Sequence, residues 1–303
     1  MKKNDVFCYG EIGIDNIIEA DQLPSPEVAV FPKSESYHAG GAAANTGIWL
    51  AQMGLQVGLS GNVIGNDQYG KLLIKRLKEH PEIDLQLIDV RENIPTPYTR
   101  AIVTPDGERS FLIFYYPQTP KKPFDLDQLQ GAKYLALDLY GGEERLQTAK
   151  TAYTSGVLTA IGDVVWTDHA VLPYTSIATN SGSYIRALFP GVDVRQYAHE
   201  LQKISKGIII TTDGGKPIHT IDTDESEFFV SPPATKVKDA TGAGDAFRAG
   251  LLYGLVKGKT LMDSVCLGAA TGSLKVGHLG AATTLPDLSE ILSLAETIKA
   301  REL

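Results

Sequence analysis

Cysteine is scarce: the 303-residue chain has two, Cys8 and Cys266. Far apart and in apolar company, they argue against a disulfide framework and a Cys-based metal cluster, so a reducing, cytoplasmic setting is expected. Long apolar runs are missing too. The longest candidate, Phe111 to Tyr116, is strand-sized and falls far short of the ~18 residues a membrane helix needs. Polarity returns at Glu11, so no signal-peptide core follows the two N-terminal lysines. A basic surplus is absent as well. Lys+Arg total 28 against Asp+Glu 36, a net charge of −8, which excludes a general electrostatic grip on nucleic acid or anionic lipid. A small phosphate ligand stays possible, because backbone N–H groups bind phosphate without net positive charge. The six histidines show no metal-ligand spacing, and His38 is the one near the glycines at 40 and 41.

What is present is an ordinary globular composition, 43% hydrophobic and 21% charged, long enough for one large or two modest domains. Val6-Phe7-Cys8-Tyr9 reads as a strand ending at Gly10. A helix is expected from the glycines at 40 and 41 to about Met53, a strand over 57–63, and a helix over 69–80. Further strands are expected at 134–139, 157–161, 176–179 and 207–212, with a helix from Glu143. Strands without polar alternation, separated by helices, indicate a parallel sheet covered on both faces. Helical spacing marks 245–257, 261–276 and 287–300. Between 95 and 117 the texture changes to β-rich runs around Asp106-Gly107, a hairpin signal. The expected organisation is one α/β domain over 1–303. A small β excursion from about 11–36 and 95–117 forms a lid on it.

The strongest motif is Asp239-Ala240-Thr241-Gly242-Ala243-Gly244-Asp245-Ala246-Phe247, with a helix opening directly after it. The N–H groups of Gly242, Ala243, Gly244 and Asp245 are expected to point outward at a helix N-terminus, where the dipole favours an anion. A carboxylate at such a place repels an anion unless it has another task. Abstracting a proton from a hydroxyl beside the anion is such a task. An ordinary first-turn acid is the plain alternative. Gly258-Lys259-Thr260 mimics the end of a P-loop, but Tyr253 stands where that motif needs glycine, and the segment follows a helix. It reads as a helix-ending glycine with Thr260 capping the next helix. Gly242-Ala243-Gly244 fails as a dinucleotide fingerprint because Phe247 takes the third glycine position.

The nine-residue string resembles the second signature of the ribokinase-like (phosphofructokinase B) carbohydrate kinases. Gly40-Gly41-Ala42-Ala43-Ala44-Asn45-Thr46 is similar to their first signature. Gly10 to Asp15, Asp106-Gly107-Glu108-Arg109, Thr212-Asp213-Gly214 and Gly280-Ala281 fall in the matching order, so the resemblance spans nearly the whole chain. It implies a three-layer α/β/α fold with a mostly parallel central sheet and a β lid. It also implies phosphoryl transfer from Mg-ATP to a hydroxyl of a small sugar. Asp245 becomes the base, and Gly242, Ala243 and Gly244 the anion hole. Asp15, Gly40, Gly41 and Asn45 line the acceptor pocket; Asn180, Thr212, Gly214 and Thr241 serve ATP; Asp239, Thr241 and the 277–280 loop match a region where some members hold a monovalent cation.

Asp138, at the end of a strand, is a further hydroxyl-ligand candidate. Arg100 in the lid is a candidate for touching substrate. Arg109 is expected to pair within the hairpin, and Arg248 to be solvated on the helix surface. Two departures from the family pattern stand out. Asn180-Ser181-Gly182-Ser183 has Ser183 where the pattern carries a metal-organising Glu, and Pro217 replaces a glycine in the nucleotide loop. A ribonucleoside kinase, a catalytically impaired sugar-binding protein, and a homodimer joined through the lid remain open readings.

Overall fold

The computed structural model describes residues 3–106, 109–121, 125–129 and 131–303. Along the chain, β1 (Val6–Gly10), β2 (Gly13–Glu19) and β3 (Ser34–Gly40) lead into α1 (Ala42–Gln52). Then follow β4 (Val57–Gly61), β5 (Ile64–Gly65), α2 (Gln68–Leu77), β6 (Ile83–Asp84) and β7 (Val90–Arg91). Next come β8 (Tyr98–Val103), β9 (Arg109–Phe114), β10 (Tyr134–Leu137), α3 (Glu143–Thr154) and β11 (Leu158–Gly162). After β12 (Ile177–Ser181) stand α4 (Gly182–Leu188), α5 (Val194–Ser205), β13 (Ile208–Asp213), β14 (Lys216–Ile221) and β15 (Glu227–Ser231). The chain ends with α6 (Ala243–Val256), α7 (Leu261–Val276), α8 (Leu288–Glu296) and β16 (Lys299–Glu302).

The main sheet has the order β16-β15-β14-β13-β12-β11-β10-β1-β4-β6, parallel from β13 through β6 and antiparallel from β13 outward. The alternation within β1 divides the core. Val6 and Cys8 pack into one apolar layer with α1, α6 and α7, while Phe7 and Tyr9 join the opposite layer with α3 and α5. That is the three-layer arrangement. Because β1 lies between β4 and β10, the chain order reverses there, and a crevice opens at the C-terminal ends of the strands. A cavity of about 390 Å³ at the other end of the strands, lined by Tyr134, Leu158, Ile177 and Ile208, holds none of the crevice acids.

The second sheet, β3-β2-β8-β9, takes its strands from both β-rich segments. Its strand β3 continues past residue 36 to Gly40, so the first-signature glycines lie where this sheet hands over to α1. Gly107 and Glu108 of the expected hairpin turn lie outside the described residues. Gly258 ends α6 with φ +73, and Thr260 accepts from the Asp263 N–H to cap α7, as the sequence suggests. Two further features depart from sequence expectation. The last helix stops at Glu296 instead of running to 300, and residues 299–302 pair with β15, whose edge would otherwise be open. Gly214-Gly215 forms the two-residue loop between β13 and β14, a hairpin beyond the expected strand at 207–212.

Candidate active site

Gly242 adopts a left-handed φ of 72° at the cap of α6, and a Cβ there would lie 2.4 Å from the Ala281 side chain, so only glycine fits. The Ala243 N–H turns back to the Ala240 carbonyl at 3.2 Å, and Ala246 donates to Gly242. The Ala243 amide is therefore turned away from the expected anion site, while Gly244 and Asp245 stand in the first turn, whose amides have no intrahelical acceptor. Gly244 is exposed, and a Cβ added to it meets nothing within 4 Å. Space above it is open for a ligand.

Asp245 sits in that first turn between two protein donors. Arg248 Nη2 donates to Oδ1 at 2.7 Å and Asn45 Nδ2 donates to Oδ2 at 3.2 Å. Burial raises its pKa to about 6, against the opposing pull of the Arg248 guanidinium. The solvated Arg248 expected from sequence is not found. The residue is 3% exposed, bonds Thr46 as well, and occupies room that a Cβ at position 162 would fill, since Gly162 lies against its guanidinium.

Asp15 reaches the same crevice from β2. Its carboxyl occupies the place of a missing side chain at Gly40, whose added Cβ would fall 2.2 Å from Asp15 Cγ. Burial, with the Asp245 and Asp239 carboxylates behind it, raises the Asp15 pKa to about 7. Gly41, at φ 89°, turns the chain from β3 into α1 and brings Asn45 inward. Asn45 Oδ1 is buried and has no partner among the described residues, so an acceptor faces the pocket unsatisfied. Glu11 adds a third acid; burial and then Asp138 push its pKa to about 8.

Asp138 and Arg100 are the remaining expected ligands. Asp138 is 2% exposed and accepts from the Glu11 N–H (2.6 Å), the Tyr140 N–H (3.1 Å) and Arg145 Nε (3.0 Å). Two of these donors fall on Oδ1 and one on Oδ2, so Asp138 is held in place by the protein before any hydroxyl reaches it. Its partner Arg145, 2% exposed and stacked over Tyr9, carried no signal in the sequence. Arg100 is on the wrong face. Register sets Asp15 opposite Thr99 and His38, but Asn16 opposite Arg100, and strand alternation points Arg100 away from Asp15, beside Tyr98 and Phe114. Arg109 lies over the Phe111 ring, a local contact in its own strand. His38 is half-buried, meets Ser36 Oγ at 3.0 Å, and burial lowers its pKa.

Of the expected nucleotide residues, Asn180, Thr212 and Gly214 lie at the ends of β12 and β13, whereas Thr241 precedes α6 and bonds Asp239. Thr212 Oγ1 donates to the Asn180 carbonyl at 3.2 Å, and Asn180 Oδ1 is another buried acceptor without a partner among the described residues. Gly214 is open to solvent, with nothing near an added Cβ. Ser183 Oγ lies 2.8 Å from Ser181 Oγ. Asp213 is neutralised by Arg186 (2.6 Å) and Lys216 (2.9 Å), which hold its pKa down. Asp163, at the end of β11 with φ 59°, accepts from the Tyr140 hydroxyl at 2.5 Å. Among the described residues no three His, Cys, Asp or Glu side chains converge as a metal site. Asp163 makes no ion pair among the described residues, so it is the carboxylate at these strand ends that would hold a Mg²⁺ brought by the phosphates.

Asp239 is 1% exposed and fully engaged. Its Oδ1 accepts from the Thr241 N–H (2.8 Å) and hydroxyl (2.7 Å), and its Oδ2 accepts from the Gly280 N–H (2.8 Å). Lys275, unmarked in the sequence, lies beside it.

Comparison with known proteins bears on the family and the fold. The pfkB family carbohydrate kinase profile matches residues 3–288. The chain is similar to an ATP-dependent 6-phosphofructokinase of Thermoanaerobacterium thermosaccharolyticum, 27% identical over 99% of this chain and 96% of that protein. It is similar to a nucleoside kinase of Methanocaldococcus jannaschii, 25% identical over 97% and 98%. Its fold is that of the Arabidopsis thaliana ribokinase solved with ribose and ATP, with a TM-score of 0.82, 23% identity, and 97% and 99% of the two chains covered.

Proposed function

The chain belongs to the pfkB family of carbohydrate kinases and is an ATP-dependent sugar or nucleoside kinase; from that premise we propose that it phosphorylates a hydroxyl of a small, uncharged sugar, with Asp245 as the base. The observation that carries this reading is the placement of Asp245. It is a carboxylate with a pKa of about 6 in the first turn of α6, steered by Asn45 and Arg248, beside the open amide of Gly244.

Bound Mg-ATP supplies the phosphoryl group. Asp245 takes the proton from the acceptor hydroxyl, and at neutral pH its pKa leaves it mostly ionised for that purpose. The Gly244 and Asp245 amides, at the positive end of α6, hold the oxygens of the group in flight. Arg248 keeps the base oriented. Asp15 and Asn45 offer acceptors to neighbouring hydroxyls of the sugar, Asn45 through its unpartnered Oδ1. On the nucleotide side, Asn180, Thr212 and Gly214 line the ATP site. The strands of the second sheet cover the acceptor as a lid.

An uncharged acceptor follows from the charge balance. Arg145 and Arg248 are already committed to Asp138 and Asp245, so neither guanidinium is free to hold a second phosphate on the acceptor. The nucleoside reading has one observation in its favour: Phe111 and Ile113, 43% and 64% exposed, share the sheet face of Asp15 and could bed a base. The same exposed strand is where a second copy would join, which sedimentation reads directly.

The test is transfer from Mg-ATP to free sugars, sugar phosphates and ribonucleosides by the parent and by Asp245→Asn. Turnover on a free sugar, cut by on the order of 10²–10⁴ in the variant, is expected. Equal turnover in both proteins removes Asp245 from the chemistry, and preference for a sugar phosphate or nucleoside overturns the substrate class.

A further inference from the structure

Lys275 stands in the last turn of α7 and is 1% exposed. Its ammonium donates to the Asp239 carbonyl at 2.5 Å and to the His278 carbonyl at 3.2 Å, and lies 3.9 Å from Asp239 Oδ2. Two carbonyl oxygens and a carboxylate oxygen around one positive centre, at a helix C-terminus, make a cation cage. Burying an ammonium is costly unless acceptors surround it, and here they do.

The cage is tied to the phosphate-binding turn from both sides. Upstream, Lys238 and Asp239 donate their N–H groups to the Val276 carbonyl, and Asp239 accepts from Thr241, the residue before Gly242. Downstream, Gly280 donates to Asp239 Oδ2, Ala281 packs on Gly242, and the Ala281 carbonyl accepts from buried Trp49. The ammonium therefore sits where the segment that begins the anion turn meets the loop that supports it.

The resemblance matches this region to one where some members of the family hold a monovalent cation, and the residues here do not fit a free ion. The oxygens such an ion would need are engaged by Lys275. We propose that the Lys275 ammonium is a built-in cation that sets the geometry of the Gly242–Asp245 turn, so that the enzyme works without potassium or any other free monovalent ion. Lys275 is a positioning residue; it touches the turn through Asp239 and His278. Burial lowers its pKa to about 8, with Asp239 opposing that shift, so at neutral pH most of the side chain carries its charge.

This inference rests on the kinase reading, and one arm of its test does not. Thermal unfolding of the parent and of Lys275→Met is followed in tetramethylammonium chloride and in potassium or ammonium chloride at equal ionic strength. The parent midpoint is expected to be the same in all three salts. The variant midpoint rises saturably with potassium or ammonium, since an ion that binds the folded state alone stabilises it. In the kinase assay, the parent rate is indifferent to potassium. The variant loses on the order of 10²-fold in turnover, recovers part of it with potassium or ammonium, and keeps the KM for its acceptor. Saturable potassium activation or stabilisation of the parent overturns the proposal, and so does a folded variant that no cation rescues. If Lys275→Met does not fold, the parent titration alone decides. A protein with no kinase activity on any acceptor still gives the thermal result, which separates failure here from failure of the proposed function.

Discussion

Arg248 bonds Asp245 at 2.7 Å across one turn of α6, and the pair is buried together, the arginine side chain 4% and the aspartate side chain 16% exposed. The arginine is thus set to tune the carboxylate, holding its pKa below where burial alone would leave it. Removing the guanidinium takes away the stabiliser of the ionised form, so the pKa of the base must rise. Arg248→Met is expected to move the acid limb of the pH–rate profile up from about 6 by about 1–2 pH units. Measuring kcat against pH for both proteins checks this. An unmoved limb separates the arginine from the base.

Gly244→Val tests the anion turn. The residue is exposed, α6 gives it helical geometry, and its Cβ meets no protein atom, so the backbone strain expected of a signature glycine does not arise there. Folding stability should change by about 1 kcal/mol or less. The Cγ methyls project into the space left for phosphate, so the KM for ATP is expected to rise and kcat to fall. Parallel thermal unfolding and kinetics separate the two effects, and unchanged kinetics dismiss the turn as a phosphate site.

Asp15→Asn should stabilise the protein in a pH-dependent way. The folded-state pKa of Asp15 is about 7, above its ordinary value of 3.8. Its contribution to stability is present below pH 3.8 and lost as pH rises through 7, because the folded protein then holds an ionised carboxylate that burial disfavours. The benefit of the amide therefore grows from pH 4 to above 7, reaching about 1–3 kcal/mol. Unfolding midpoints at pH 5 and pH 8.5 read it, and an equal gain at both values contradicts it. Activity should fall in the same variant, the usual cost of removing a destabilised site residue.

Magnesium use should depend on Asp163. Ser183 brings no charge, and Asp213 is neutralised by Arg186 and Lys216. Asp163→Asn is expected to raise the free Mg²⁺ needed for half-maximal rate by about 10–100-fold, and Ser183→Glu to lower it. A Mg²⁺ titration at saturating Mg-ATP measures both. Equal requirements in all three proteins assign the task to the phosphates alone.

Much of this protein was legible in the chain itself. Apolar runs without alternation announced the parallel strands, and the glycine-rich string announced the start of α6 with Asp245 in its first turn, because those features depend on neighbouring residues only. The C-terminal strand was not legible: 299–302 is polar, and it becomes a strand because β15 offers it an unpaired edge. The same holds for the side chains that set the chemistry. Arg248 looked like a surface residue until Gly162, 86 positions away in sequence, proved to make room for its guanidinium. Asp138 is a ligand candidate by its strand-end position, but that Arg145 and the Glu11 N–H donate to its oxygens could not be read from the chain. Arg100 fell on the far face of its sheet by one residue of register. Lys275 gave no local sign at all, since a buried ammonium is recognised by the oxygens around it, and those come from residues 239 and 278. Local pattern determined the elements and the position of Asp245. Burial, register and long-range partners, which only the tertiary structure supplies, decided which charges face the crevice and which are spent holding it.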